Sequence, residues 1–178
     1  MAQADAKFQG GQFTVNGSKM EQAMSAGPYK ELTQLGKIVD IPARPEEAFL
    51  DTFPNQNPTV EYVIRLTAPE LTTLCPITGQ PDFATLIIDY VPARKLIETK
   101  SFKLFLESFR NLGIFNEDCT VYIHGRLQEA LEPKYLRVTG LWSARGGITI
   151  DLVIESGSLP LHCQPLPLER IGYRGGRV

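Results

Sequence analysis

A chain of 178 residues, 43% apolar and 21% charged, has room for one well-cored domain and the composition of a soluble globular protein. Its formal net charge of -2 offers no positive field for a polyanion, which argues against nucleic acid as a partner. No run of about eighteen apolar residues is present to span a membrane, and the opening MAQADAKFQGGQFTVNGSK lacks the apolar stretch of a secretory signal. The three cysteines, Cys75, Cys119 and Cys163, contain no CxxC pair, so neither a disulfide framework nor a cysteine-rich zinc site is indicated. The expectation is a cytoplasmic protein with free thiols.

Residues 1–30 are rich in Gly, Gln, Ala and Ser without periodicity and read as a poorly ordered extension, leaving 31–178 as a single domain. NPTVEYVIRL alternates and is β-rich, which predicts a strand over about residues 59–67. The Pro- and Gly-bearing APELTTLCPITGQPD is expected to break that strand into an extended loop. FATLIIDYVPA reads as a second strand, ended by Pro92.

The period then changes. Phe102, Phe105, Leu106 and Phe109 fall on one helical face, with Gly113 as the stop. Thr120, Ile123, Leu127 and Leu131 repeat that period, with Asn116 in N-cap position and Glu117 and Asp118 in the first turn, where the helix dipole favours negative charge. YLRVTGLW and ITIDLVIES close the series as two strands joined by SARGG, and a proline-bearing tail follows Gly157. Strand, strand, helix, helix, strand, strand is an α+β order. It predicts an antiparallel four-stranded sheet with two helices on one face, and the bare face and edges call for cover by neighbouring subunits.

Two segments carry chemistry. In LCPITGQPD a cysteine beside a proline is followed by a turn and a carboxylate, Asp82. A reactive thiol needs such a fixed loop and nearby proton source, whereas a packing cysteine needs neither. In IETKSFKLF, Glu98 either stands outside a charged, solvated first turn or leaves the sheet at a cleft, with Lys100 and Lys103 available for an anionic ligand.

LCPITGQPD, IETKSFKLF and SFRNLGIFNEDC, in this order and spacing, resemble the QueF family, the NADPH-dependent 7-cyano-7-deazaguanine reductases, in short single-module form. The mark of that family is a Glu-x-Lys-Ser-x-Lys run ending in an aromatic residue, here Glu98, Lys100, Ser101, Lys103 and Phe105. The resemblance implies the tunnelling fold shared with GTP cyclohydrolase I and a homo-oligomer with active sites between subunits. It implies Cys75 as the nucleophile that forms a thioimide with the nitrile, and Asp82 as proton donor. Ile97, Glu98, Thr99, Asn116 and Glu117 would hold the substrate, 7-cyano-7-deazaguanine, on the way to queuosine in tRNA. Thr99, Lys100, Arg145 and Gly146 would contact NADPH. For Glu117 a helix-dipole role, and for the Arg145–Gly146–Gly147 run a plain hairpin turn, remain open beside these.

The family's usual FHED is FNED in this chain, so Asn116 stands where a titratable histidine is customary. Cys119, two residues after Glu117, is expected to approach the same pocket as Cys75. There its thiol would be acidified by the helix N-terminus and able to form a reversible disulfide with Cys75; packing in the core is the alternative. His124 and His162 belong to no ligand pattern, and no cyclohydrolase-type Cys/His zinc set can be assembled. Three functions follow from the resemblance: a nitrile reductase, an amidine-forming relative that uses ammonia in place of hydride, or a non-catalytic deazaguanine-binding protein.

Overall fold

The computed structural model describes residues 38–164 without a break, together with residues 7–9, 12–14, 27, 29, 31–34, 36 and 167. The expectation of a poorly ordered extension over residues 1–30 falls mostly outside these. Within it, β1 (Lys7–Gln9) pairs with β2 (Gln12–Thr14) as a small antiparallel hairpin. Next come β3 (Thr52–Pro54), β4 (Ile64–Leu74), β5 (Pro81–Val91) and β6 (Lys95–Ile97), then α1 (Thr99–Glu107) and α2 (Asn116–Leu131). β7 (Tyr135–Arg145) and β8 (Ile148–Gly157) complete the chain of elements.

The four long strands form one antiparallel sheet in the order β4-β5-β7-β8, as the strand and helix order required. Period two explains which side is covered. Leu86, Ile88 and Tyr90 of β5 and Leu136, Val138 and Trp142 of β7 point to one face. They pack there against Phe105 of α1 and Ile123, Leu127 and Leu131 of α2. Each of those side chains is nearly or fully buried, which contributes roughly 1.5–3 kcal/mol per large aliphatic residue. α2 lies close on β7 because position 140 is glycine: a Cβ there would stand 2.9 Å from the Thr120 hydroxyl. That hydroxyl in turn accepts the Trp142 indole N–H at 3.1 Å.

Several boundaries differ from the sequence expectation. The first long strand begins at Ile64 and continues through Pro69 to Leu74, where a loop was expected. Proline is tolerated because β4 is an edge strand and its register shifts between Ala68 and Leu71, so no ladder donor is missed. The true loop is only Cys75 to Gln80, and Asp82 belongs to β5. α1 stops at Glu107, before Gly113, although Phe109 remains fully buried beyond the helix end. Gly113 serves a different purpose. It bridges to Leu74, and a Cβ on it would lie 3.3 Å from the Pro76 Cα, so glycine lets this segment press onto the Cys-Pro loop. Phe115, not Asn116, is the N-cap of α2 and makes no side-chain cap bond; Asn116 is the first helical residue. The short pairing of β3 with β6, which docks residues 48–51 beside α1, has no periodic signal in the sequence.

Candidate active site

A tight loop fixes Cys75. Its N–H donates to the Gln80 carbonyl at 2.8 Å, and the Gly79 N–H returns to the Cys75 carbonyl at 2.9 Å. Gly79 has φ +69°, a left-handed position that glycine takes without steric cost. The preceding residue is clamped from the other side: the Leu74 N–H donates to the Leu112 carbonyl, and the Ile114 N–H to the Leu74 carbonyl. The thiol therefore sits on a loop held by two elements, with only 6% of the residue exposed.

Its environment favours the thiolate. The Thr78 hydroxyl, the Arg145 guanidinium and the backbone N–H groups of Thr78 and Ile77 all stabilise the anion and pull the Cys75 thiol down to about 6, against a smaller opposing effect of burial. Arg145 is shared. Its Nε stands 3.1 Å from Oδ1 of the buried Asp82, and the thiolate and that carboxylate both hold the guanidinium proton more tightly. Arg145 reaches this place from the end of β7, after a register shift between Trp142 and Arg145. Gly146 and Gly147, with φ of +57° and +81°, turn the chain into β8. Cys75, Asp82 and Arg145 thus form one cluster of acidic thiol, carboxyl and bridging cation.

Asn116 and Glu117 open α2 at this same end of the sheet, two and three residues after the Ile114 N–H that binds Leu74. Asn116 is buried and Glu117 exposed. Cys119 lies in the same first turn of α2. It is fully buried in the main core, and burial pushes its thiol up to about 12, the reverse of the acidification expected from a helix N-terminus. Desolvation outweighs the dipole because no donor compensates it. All three cysteines are free.

The second motif lies elsewhere. Glu98 is neither outside nor solvated: it is 5% exposed and caps α1, its two carboxylate oxygens accepting the Lys100 and Ser101 N–H groups at 2.8 and 2.7 Å. The Ser101 hydroxyl donates to the Glu98 carbonyl and accepts the Asp51 N–H, while the Glu98 N–H donates to the Asp51 carbonyl. Asp51, which no sequence pattern singled out, thereby anchors the motif and also holds Thr33 and Gln34. Lys100 donates from Nζ to the Gln34 carbonyl at 2.7 Å; Thr99 and Lys103 are exposed. Ile97 is buried, its N–H directed at the Tyr90 hydroxyl.

Cys75 is bonded to Gln80 at the start of β5, and Ile97 to Tyr90 near its end. Gln80 and Tyr90 are ten residues apart on extended chain, and at about 3.3 Å each that separates these points by roughly 33 Å. Within one chain, Ile97, Glu98, Thr99 and Lys100 are therefore remote from Cys75, Asp82, Arg145, Gly146, Asn116 and Glu117. Cations stand at both ends, Lys100 and Lys103 at one and half-exposed Arg145 at the other. They fit an anionic dinucleotide, as does the open space outside the Gly146–Gly147 turn. Among the described residues no three His, Cys, Asp or Glu side chains gather as a metal site, and no helix is long and apolar enough to cross a membrane.

Over 150 residues the chain is 64% identical to the NADPH-dependent 7-cyano-7-deazaguanine reductase of Syntrophobacter fumaroxidans, covering 84% of this chain and 97% of that protein. The chain belongs to the QueF family of 7-cyano-7-deazaguanine reductases. The family model described as QueF-like protein matches residues 81–160, from the first residue of β5 to just past β8. A second QueF relative, the reductase of Parvibaculum lavamentivorans, is 56% identical over 137 residues, covering 77% of this chain and 89% of that one. Among solved structures, the apo form of archaeosine synthase QueF-Like superposes with a TM-score of 0.51 at 28% identity, over 55% of this chain and 96% of that one. The QueF fold is therefore the α+β tunnelling fold that the element order and the resemblance implied.

Proposed function

We infer that the protein is the NADPH-dependent nitrile reductase of its family, converting 7-cyano-7-deazaguanine to 7-aminomethyl-7-deazaguanine for queuosine biosynthesis. The observation that carries the chemistry is the Cys75 thiolate held beside Asp82 by Arg145. The Cys75 sulfur adds to the electrophilic nitrile carbon as one C–N π bond breaks, and Asp82, carrying the proton that the thiol has released, gives it to the nitrogen, leaving a thioimide on Cys75. Sulfur suits both halves of the work, since it attacks as a soft anion and leaves again as one. NADPH supplies hydride, two equivalents per nitrile. Thr99, Lys100, Arg145 and Gly146 are the residues assigned to hold it, by charge and by open backbone.

Glu98 and Glu117 are assigned to the deazaguanine, whose ring N–H and exocyclic amino groups on one edge match a carboxylate. Although capping α1, each oxygen of Glu98 retains a lone pair. Ile97 and Thr99 flank it, and Asn116 offers a neutral amide in place of the usual imidazole. Glu98 cannot meet the Cys75 of its own chain across the sheet. We therefore place the complete site between two copies, in a homo-oligomer that buries exposed Phe83 and Val153 of the helix-free face and the β4 and β8 edges. An acidic free thiol at the site suits the reducing cytoplasm, and neither nucleic acid nor membrane is a partner in this reading. The chain is 64% identical to a reductase, against 28% to the archaeosine synthase, which favours the reductase over the amidine-forming alternative.

Two measurements test this. Wild-type protein mixed with the nitrile should oxidise about two NADPH per nitrile, and a covalent adduct without oxidation would favour the amidine-forming class. Cys75→Ala and Glu98→Gln chains, inactive separately, should regain activity when co-assembled; no recovery would place the whole site within one chain.

A further inference from the structure

Thr73 is wholly buried, and its hydroxyl has no hydrogen-bond partner among the described residues. Such a group costs stability unless it is used, because its bond to water is lost on folding and nothing replaces it. Two other buried hydroxyls share this condition, those of Thr85 and Thr139. Both face away from the helices, opposite Leu141 in the first case and Ile87 and Val153 in the second. Thr73 is different. It is paired in register with Asp82 on the adjacent strand, so the two side chains leave the sheet on one face. The Cβ atoms of such a pair lie about 4.5–5.5 Å apart, a gap that a hydroxyl-to-carboxylate bond can span.

Building on the reductase reading, we propose that Thr73 is a positioning residue for Asp82, its hydroxyl donating to the carboxylate as Asp82 gives up its proton. Arg145 engages Oδ1 of Asp82 and also leans on the Cys75 thiolate. When the sulfur bonds to the nitrile carbon its charge is consumed. When the Asp82 O–H bond breaks and the N–H bond forms, the electron pair remains on the carboxylate. The negative charge thus moves from the sulfur to Asp82, whose surroundings must supply a donor at that moment. Thr73 holds one in reserve, and its branched side chain restricts where the hydroxyl can point. The charged groups facing Asp82 are Arg145 and Cys75, with Glu117 and Asp118 exposed at the same end of α2.

The variants are Thr73→Val, which keeps the shape and removes the hydroxyl, and Thr73→Ser, which keeps the hydroxyl. Thr73→Val should melt no lower than wild type, since an unused buried hydroxyl is removed, yet its kcat should fall about tenfold with KM for the nitrile changed less than about twofold. Alkylation of Cys75 should be unaltered, and Thr73→Ser should recover about half the turnover or more. A Thr73→Val protein with wild-type kcat overturns the inference. So does one that melts lower or fails to fold, which would give the hydroxyl a structural bond. Changed alkylation would assign the hydroxyl to the thiol instead, and failure of Thr73→Ser to rescue would assign the effect to shape. If the wild type itself oxidises no NADPH with the nitrile, the reductase reading falls and takes this inference with it; if the wild type turns over normally, the other outcomes bear on Thr73 alone.

Discussion

Cys75, on the loop after β4, and Cys119, in the first turn of α2, are the same side chain at the same end of one sheet. The first thiol is drawn down to about 6 and the second pushed up to about 12. Both residues are at least nine-tenths buried, so exposure of the residue as a whole does not separate them. Donors do. The Cys75–Gln80 loop turns the Thr78 hydroxyl and two backbone N–H groups toward its sulfur, with Arg145 beside them, whereas Cys119 faces only core side chains. A helix N-terminus alone does not overcome desolvation; a loop built around the anion does.

Replacing the nucleophile tests that contrast most severely. Cys75→Ala should lose both nitrile turnover and the mass increase of the adduct, falling by three orders of magnitude or more, roughly the scale seen when a covalent nucleophile is removed. Retained adduct on the Ala variant, seen by intact mass, would transfer the chemistry to another thiol.

Thr78→Val removes the first of the donors. The Thr78 hydroxyl is the largest of the influences that lower the thiol, so the Cys75 pKa should rise in this variant, read as the midpoint of iodoacetamide alkylation against pH. In wild type that midpoint should lie near 6, with Cys119 unmodified. The same two shifts give stability opposite slopes. The Cys75 pKa is depressed, so its contribution is complete above the ordinary 9.0 and is lost as pH falls through about 6. The Cys119 pKa is raised, so its contribution is complete below 9.0 and is lost as pH rises through about 12. Melting temperatures of Cys75→Ala should therefore vary less between these lower limits than those of wild type.

Cys119→Ala should be the mirror image of the nucleophile's loss: a core defect of about 1–2 kcal/mol with turnover per folded molecule retained. Its activity should also recover after peroxide and reductant as fully as that of wild type, because a fully buried thiol is a poor partner for Cys75. Permanent loss in the variant alone would restore the protective disulfide. The smallest effect is expected for Asn116→His, which returns the customary motif: turnover equal to wild type or a few times higher. A fall of tenfold, about 1.4 kcal/mol in barrier, without loss of stability would show a pocket shaped to the amide.

Much of the architecture was readable from periodicity. The apolar run FATLIIDYV reads as a strand and is buried on both faces, while period 3.6 through Thr120, Ile123, Leu127 and Leu131 reflects one buried helix face. Where a position depended on its neighbours, local signals misplaced it. Pro69 reads as a strand breaker, but at the edge of the sheet its missing N–H has no partner to fail. Asn116 reads as a cap, but Phe115 takes that place. Gly113 reads as a stop, but it is needed because Pro76 passes against it.

The groups proposed to react were legible in the linear sequence, since a Cys-Pro loop with Asp82 seven residues on and a Glu-x-Lys-Ser-x-Lys run are short-range patterns of chemistry. Their relation in space was not. Arg145 is far from Cys75 in sequence and meets it only because β7 lies beside β5, which carries Asp82. Asp51 carries no motif and matters only because β3 pairs with β6 beside the Glu98 cap. Thr73 gains meaning solely from standing opposite Asp82. The Cys75–Asp82 segment and the Glu98 run, with sixteen residues from Asp82 to Glu98, are held at opposite ends of β5. Strand length is set by the chain, but which ends come together is set by pairing between strands, and pairing is a long-range interaction that no local pattern of residues contains.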